Sequence, residues 1–197
     1  DSMTIRQKFL QLIYPLWMRF AKKSTKTNPV QINISTIEPV QSFYNLKAVQ
    51  NDRMLFSFSS LKNKKVLIVN TASNCGYTNQ YSDLEKLYQL HKDKLTIVAF
   101  PSNNFRDQEK GTDEEIAAFC KINFGISFPI MQKTNVTKWS DQHEVYQWLT
   151  DPAKNGWNKQ APTWNFSKYL INENGVLTHY FEPSVSPLSK EVLDATK

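Results

Sequence analysis

Cys75 lies in the stretch Asn70 to Thr78, NTASNCGYT, between a run of strand character and a run of helix character. Val66, Leu67, Ile68 and Val69 are consecutive apolar residues, three of them β-branched, which suits a central parallel strand covered on both faces. From Gln80 the period changes: Tyr81, Leu84, Leu87, Tyr88 and His91 recur every three or four residues, as on one face of a helix. The cysteine therefore falls in the strand-to-helix turn at the carboxyl end of a strand, where open α/β sheets place their chemistry. Gly76 lets the backbone approach closely there. Unpaired N–H groups at the start of the following helix are expected to favour a thiolate. Lowering a thiol pKa by two units requires about 2.7 kcal/mol of preferential stabilisation of the anion. Position alone is equally compatible with a small buried hydrophobe, as most free cysteines are.

The elements that must hold this sulfur can be followed outward from it. Leu95 to Phe100 is a second buried-strand candidate, and it runs straight into the polar stretch FPSNNFRDQEKG, Phe100 to Gly111. Thr112 with Glu115 forms a capping box, predicting a helix to about Asn123 whose apolar face includes Ile116, Phe119 and Cys120. A third strand is expected at Phe128 to Met131 and a helix from Asp141 to Thr150. Trp164 to Ile171 and Val176 to Phe181 flank Glu173, Asn174 and Gly175, a hairpin signal, before a short helix near Leu188 to Ala195. Upstream, Phe43 to Val49 and Met54 to Phe58 predict a hairpin around Asn51 and Asp52. Strand, helix, strand, helix, hairpin and closing helix predict an α/β fold with a mixed central sheet flanked by helices, over residues 41–197.

Two cysteines are too few for a disulfide-stapled scaffold, and His91, His143 and His179 show no ligand spacing with either, so no metal is expected. The net charge of +6 would suggest nucleic acid, but its distribution does not. Six basic and two acidic side chains fall between residues 1 and 40, out of totals of 24 and 18, so the remainder is nearly balanced and no nucleic-acid partner is expected.

Residues 1–40 read as an extension. Ile5, Phe9, Leu12, Ile13, Leu16, Trp17 and Phe20 follow a helical stripe with basic flanks, and Ser24 to Gln41 reads as a linker with at most one short strand. The most apolar part, Phe9 to Met18, is interrupted by Gln11 and Pro15 and is well short of the roughly 20 residues that span a bilayer. Three readings stay open: a helix on a membrane surface through residues 4–23, a helix docked on its own domain or a partner, and an export signal, although no small-residue cleavage site precedes Lys22 and Lys23.

Taken together, NTASNCGYT, FPSNNFRDQEKG and WNFSKYL resemble the glutathione peroxidase family, in the family's order and over roughly Phe43 to Leu193. The resemblance implies a thioredoxin-like fold. It assigns Cys75 as the peroxidatic residue, with Gln108, Trp164 and Asn165 completing the catalytic tetrad. Those side chains are neutral donors that can serve a thiolate and peroxide oxygens without pairing the nucleophile to a cation. Departures lie at Ser102, Asn104, Arg106 and Lys110, where the family commonly has cysteine, glutamine, glycine and proline. Arg106 matters most, since a glycine position can require φ > 0.

Cys120 sits where thioredoxin-dependent members carry a resolving cysteine. The resemblance therefore implies a cycle through a Cys75 sulfenic acid and a Cys75–Cys120 disulfide, re-reduced by a thioredoxin-like donor, without a cofactor. Because a disulfide needs Cα atoms roughly 4.4 to 6.8 Å apart, the segment around Cys120 is expected to unwind or swing during turnover. Glutathione used directly, and a peroxide sensor relaying oxidation to a partner protein, are the alternatives. The short span between Met131 and Trp164 resembles monomeric members whose open site accepts lipid hydroperoxides. A cytoplasmic, membrane-associated location is expected, with periplasmic or organellar placement also compatible.

Overall fold

The computed structural model describes residues 3–21, 28–139 and 141–197; Lys22, Lys23 and residues 24–27 of the expected linker lie outside the described residues. The strands are β1 (Val30–Ile32), β2 (Lys47–Val49), β3 (Leu55–Ser57), β4 (Lys65–Thr71), β5 (Leu95–Pro101), β6 (Lys168–Ile171) and β7 (Leu177–Phe181). The helices are α1 (Ile5–Ala21), α2 (Gln80–His91), α3 (Asp113–Phe124), α4 (Glu144–Thr150), α5 (Pro152–Asn155) and α6 (Lys190–Thr196). Five strands make one mixed sheet in the order β1-β7-β6-β4-β5, and β2 and β3 form a separate hairpin.

This topology brings three loops to one sheet edge. β4 and β5 are parallel from Lys65↔Leu95 to Thr71↔Pro101, so the segments after them, which carry Cys75 and Gln108, emerge side by side. β6 runs antiparallel to β4, with Lys168 opposite Val69, so the Trp164–Ser167 segment that precedes β6 arrives at the same edge. Alternation along β4 supplies both faces of the core. Leu67 and Val69 pack with α2, α3 and α6, in the cluster that also holds Cys75 and Cys120; Val66 and Ile68 pack with α4 and Phe43.

Several elements differ from the sequence expectation. Phe128 to Met131 is not a strand: Pro129 has no N–H to donate, and the segment only bridges Ala99↔Ile130 and Gln50↔Met131. Phe43–Asn45 is a 3-10 turn, so the hairpin is confined to β2 and β3. The helix expected from Asp141 starts at Glu144, because the His143 Nδ1 atom accepts the Val145 N–H at 3.1 Å and caps it. Residues 164–167 are a turn rather than the start of a strand, with Phe166 at φ 67°. The closing helix starts at Lys190, capped by Ser189.

Candidate active site

The turn after β4 is built around Cys75. Its N–H donates to Thr78 Oγ1 at 2.9 Å, and that hydroxyl donates in turn to the Ala72 carbonyl at 2.8 Å, closing the loop on itself. The sulfur accepts the Tyr77 N–H at 3.4 Å. Cys75 is 1% exposed yet forms part of the floor of an open pocket of about 970 Å³, shared with Gln108 and Trp164.

The two neighbouring loops are tied to this turn. Asn74 N donates to the Gln108 carbonyl at 3.1 Å, and Asn165 Nδ2 donates to Gln108 Oε1 at 2.9 Å. Asn70, at the end of β4, holds the third loop twice: its Nδ2 donates to the Trp164 carbonyl at 3.0 Å, and its carbonyl accepts the Phe166 N–H at 2.6 Å. The positive φ of Phe166 turns this segment so that Trp164 and Asn165 both act on the sulfur. Beneath it Lys168 is fully buried, and its Nζ donates to the carbonyls of Phe166 at 2.7 Å and Pro183 at 3.3 Å. Burial pushes that ammonium well below the usual lysine range.

In the second loop Arg106 and Asp107 adopt φ of 51° and 52°, so the positive φ expected at the arginine is present. The residues that depart from the family pattern hold it. Ser102 Oγ donates to Asn104 Oδ1 at 2.7 Å, and the same oxygen accepts the Val136 N–H at 2.8 Å. Arg106 lies over the Trp164 ring, 5.6 Å from its centroid. Glu109 is 1% exposed, accepts the Ser73 hydroxyl at 3.1 Å, and is pushed by burial up to about 7.

The thiols differ from expectation in one respect. α2 begins at Gln80, five residues past Cys75, and burial pushes the Cys75 thiol up. The Tyr77 N–H, the Asn165 and Trp164 side chains and the Arg6 charge oppose that shift without reversing it. The start of the helix therefore does not give a net preference for thiolate. Cys120 is fully buried on the inner face of α3 and is pushed to about 12 by burial; it is a free thiol and does not line the pocket that Cys75 shares with Gln108 and Trp164.

The glutathione peroxidase family model matches residues 43–150. Over 151 residues the chain is 41% identical to the glutathione peroxidase-like peroxiredoxin HYR1 of Saccharomyces cerevisiae, an alignment covering 76% of this chain and 92% of that one.

The chain belongs to the glutathione peroxidase family.

A crystal structure of Trgpx in apo form aligns with a TM-score of 0.61 at 32% identity, covering 80% of this chain and 94% of that one. A DsbF homologue from Corynebacterium diphtheriae aligns at 0.61 with 15% identity over 87% and 96% of the two chains, a likeness of fold alone. The fold is thioredoxin-like, as expected.

α1 is the part of the site that the family pattern does not contain. It docks on its own domain mainly through Met3, Gln7, Leu10, Tyr14 and Met18, joined by Trp17 from the stripe read from the sequence. Gln7 Nε2 donates to the Ser73 carbonyl at 2.8 Å, and the buried Tyr14 hydroxyl donates to Asp83 Oδ2 at 3.2 Å. The Trp17 ring lies 3.4 Å from where a Cβ on Gly76 would stand, and meets Tyr77 edge to face at 6.1 Å. The signal for this face was present, since residues 3, 7, 10, 14 and 18 share a helical face, but polar Gln7 and Tyr14 hid it. Among the described residues no group of three or more His, Cys, Asp and Glu side chains is placed to hold a metal, and no helix is long and apolar enough to cross a membrane.

Proposed function

We propose that this member of the glutathione peroxidase family is a thiol peroxidase acting on hydrogen peroxide and on organic or lipid hydroperoxides at Cys75. The observation that carries the reading is the convergence of Gln108, Trp164 and Asn165 on a cysteine at the floor of an open pocket. The Cys75 thiol gives up its proton as its sulfur attacks one peroxide oxygen; the O–O bond breaks, the attacked oxygen stays on sulfur, and the other leaves as water or an alcohol carrying the thiol's proton. The oxidised sulfur is a sulfenic acid. Cys120 then attacks that sulfur, the S–O bond breaks, and water leaves as the disulfide forms. A thioredoxin-like dithiol reduces it by exchange and is itself oxidised; the peroxiredoxin name of the yeast relative supports this donor.

The burial of Cys120 favours a second reading, in which glutathione reaches the sulfenic acid directly through the open pocket. Intact mass with thiol alkylation separates the two, after one equivalent of hydrogen peroxide is added to the reduced protein. Loss of two hydrogens with both cysteines blocked is the expected result. Oxygen retained at Cys75 with Cys120 free would move the donor to glutathione, and no rapid change would overturn the peroxidase reading.

We further read the protein as a monomer that rests on an anionic lipid surface. Ile5, Phe9, Leu12, Leu16 and Phe20 form an outward stripe on α1, which carries Arg6, Lys8 and Arg19 and no acidic residue.

A further inference from the structure

The pocket over Cys75 has two walls of different origin. One is the loop edge that carries Gln108 and Trp164; the other is α1, through Leu10, Ile13, Trp17 and Phe20. Its lining is mainly apolar and carries three charged side chains. The Glu182 carboxylate accepts the Thr163 hydroxyl at 2.7 Å, and the Arg106 guanidinium lies over the Trp164 ring. Arg6 forms no ion pair among the described residues and is exposed at the α1 side, near enough to Cys75 to act on its charge. An apolar groove with a cysteine sulfur on its floor, and on its wall a cation that forms no ion pair among the described residues, is complementary to an apolar molecule bearing one acidic group.

We propose that α1 makes the pocket a site for free long-chain fatty-acid hydroperoxides, with Arg6 pairing to the carboxylate and Leu10, Ile13 and Trp17 covering the chain. This rests on the peroxidase reading for the reaction, but not for the binding. Docking of α1 through Gln7, Tyr14 and the Trp17–Gly76 contact fixes that wall relative to Cys75, so the helix acts as a specificity element added to the family's site.

The test measures binding of a C18 hydroxy fatty acid, the shape of the reduced product, and of its methyl ester, to the full chain by titration calorimetry below the micellar range. The acid is expected to bind about tenfold tighter than the ester, in keeping with one partly exposed charge-assisted pair. Arg6→Gln should remove that preference, Arg6→Lys should keep most of it, and Leu10→Ser should weaken acid and ester alike. Equal affinity of acid and ester, or a preference that survives Arg6→Gln, would overturn the inference. Hydrogen peroxide consumption is followed in parallel. Binding that depends on Arg6 with no peroxide consumed would leave the site standing and remove the peroxidase reading; peroxide consumption without discrimination would do the reverse.

Discussion

Glu109 is the side chain whose position is hardest to reconcile with its chemistry. It follows Gln108, is 1% exposed, and has one hydroxyl donor, Ser73, for a carboxylate that burial pushes from an ordinary 4.5 to about 7. The folded protein thus binds a proton at pH values where the unfolded chain has released it. Between about 4.5 and 7 the folded state holds more protons, so stability falls as pH rises through that window. The loss amounts to about 3 kcal/mol once both states are ionised. Glu109→Gln should abolish most of this slope: in urea titrations, the variant gains on the parent as pH goes from 4.5 to 8. A parallel pH dependence for the two proteins would mean that Glu109 is solvated or paired in solution. Lys168 differs in that its buried amine donates to two carbonyls, and this cage supports the backbone between Asn165 and β6.

At the scale of elements, what could be read in advance followed from local chemistry. The Thr112 and Glu115 capping box is present with both of its hydrogen bonds, because each partner lies within one turn of the other. β4, β5 and α2 were legible for a similar reason, as long periodic apolar runs. Segments 128–131 and 164–167 were not, because their conformation is set from elsewhere: by Ala99 for the first and by Asn70 for the second. α5 went unread because its four residues depend on the Asp151 side chain as a cap and on Gly156 at φ 100°. The meeting of Cys75, Gln108, Trp164 and Asn165 was legible from three separated motifs, whereas the inner face of α1 was not, since nothing local marks Gln7 as a partner for the Ser73 carbonyl.

The same scale governs Cys120. It lies in the last turns of α3, where its carbonyl accepts the Gly125 and Ile126 N–H groups and where Gly125 sits at φ 62°. In the proposed cycle, resolution by Cys120 requires this end of the helix to open, since Cys120 is fully buried beside Tyr81. A Cβ on Gly125 would meet nothing within 4 Å, so Gly125→Ala has only the left-handed backbone to contend with, at about 1–2 kcal/mol. If that strain is relieved on opening, disulfide formation after peroxide should speed up roughly five- to thirtyfold. Quenched alkylation at timed intervals reads the rate directly. An unchanged rate alongside the expected loss of stability would show that Cys120 reaches Cys75 without unwinding this turn.

For the whole molecule, α1 presents two different faces. Its inner face covers the domain through Tyr14 and Gln7, while Ile5, Phe9 and Leu12 are 89%, 59% and 79% exposed on the other side. Leu16 and Phe20 belong both to that outer stripe and to the pocket wall, so a surface that takes up the stripe would also sit at the entrance to Cys75. A large apolar side chain fully removed from water contributes about 1.5–3 kcal/mol, and each Lys or Arg near an anionic surface about 1 kcal/mol. Partial immersion of five such residues, with three basic ones on the helix, is enough for measurable adsorption. The full chain should therefore sediment with vesicles of phosphatidylglycerol and phosphatidylcholine, more weakly with phosphatidylcholine alone, and less as salt screens the basic residues. Leu12→Glu should abolish sedimentation while leaving the melting temperature nearly unchanged, because an outward residue makes little contribution to the fold. Sedimentation that survives Leu12→Glu would exclude the stripe as the contact. If the parent instead runs as a dimer in light scattering, and Leu12→Glu makes it a monomer, the stripe is covered by a second copy rather than by lipid.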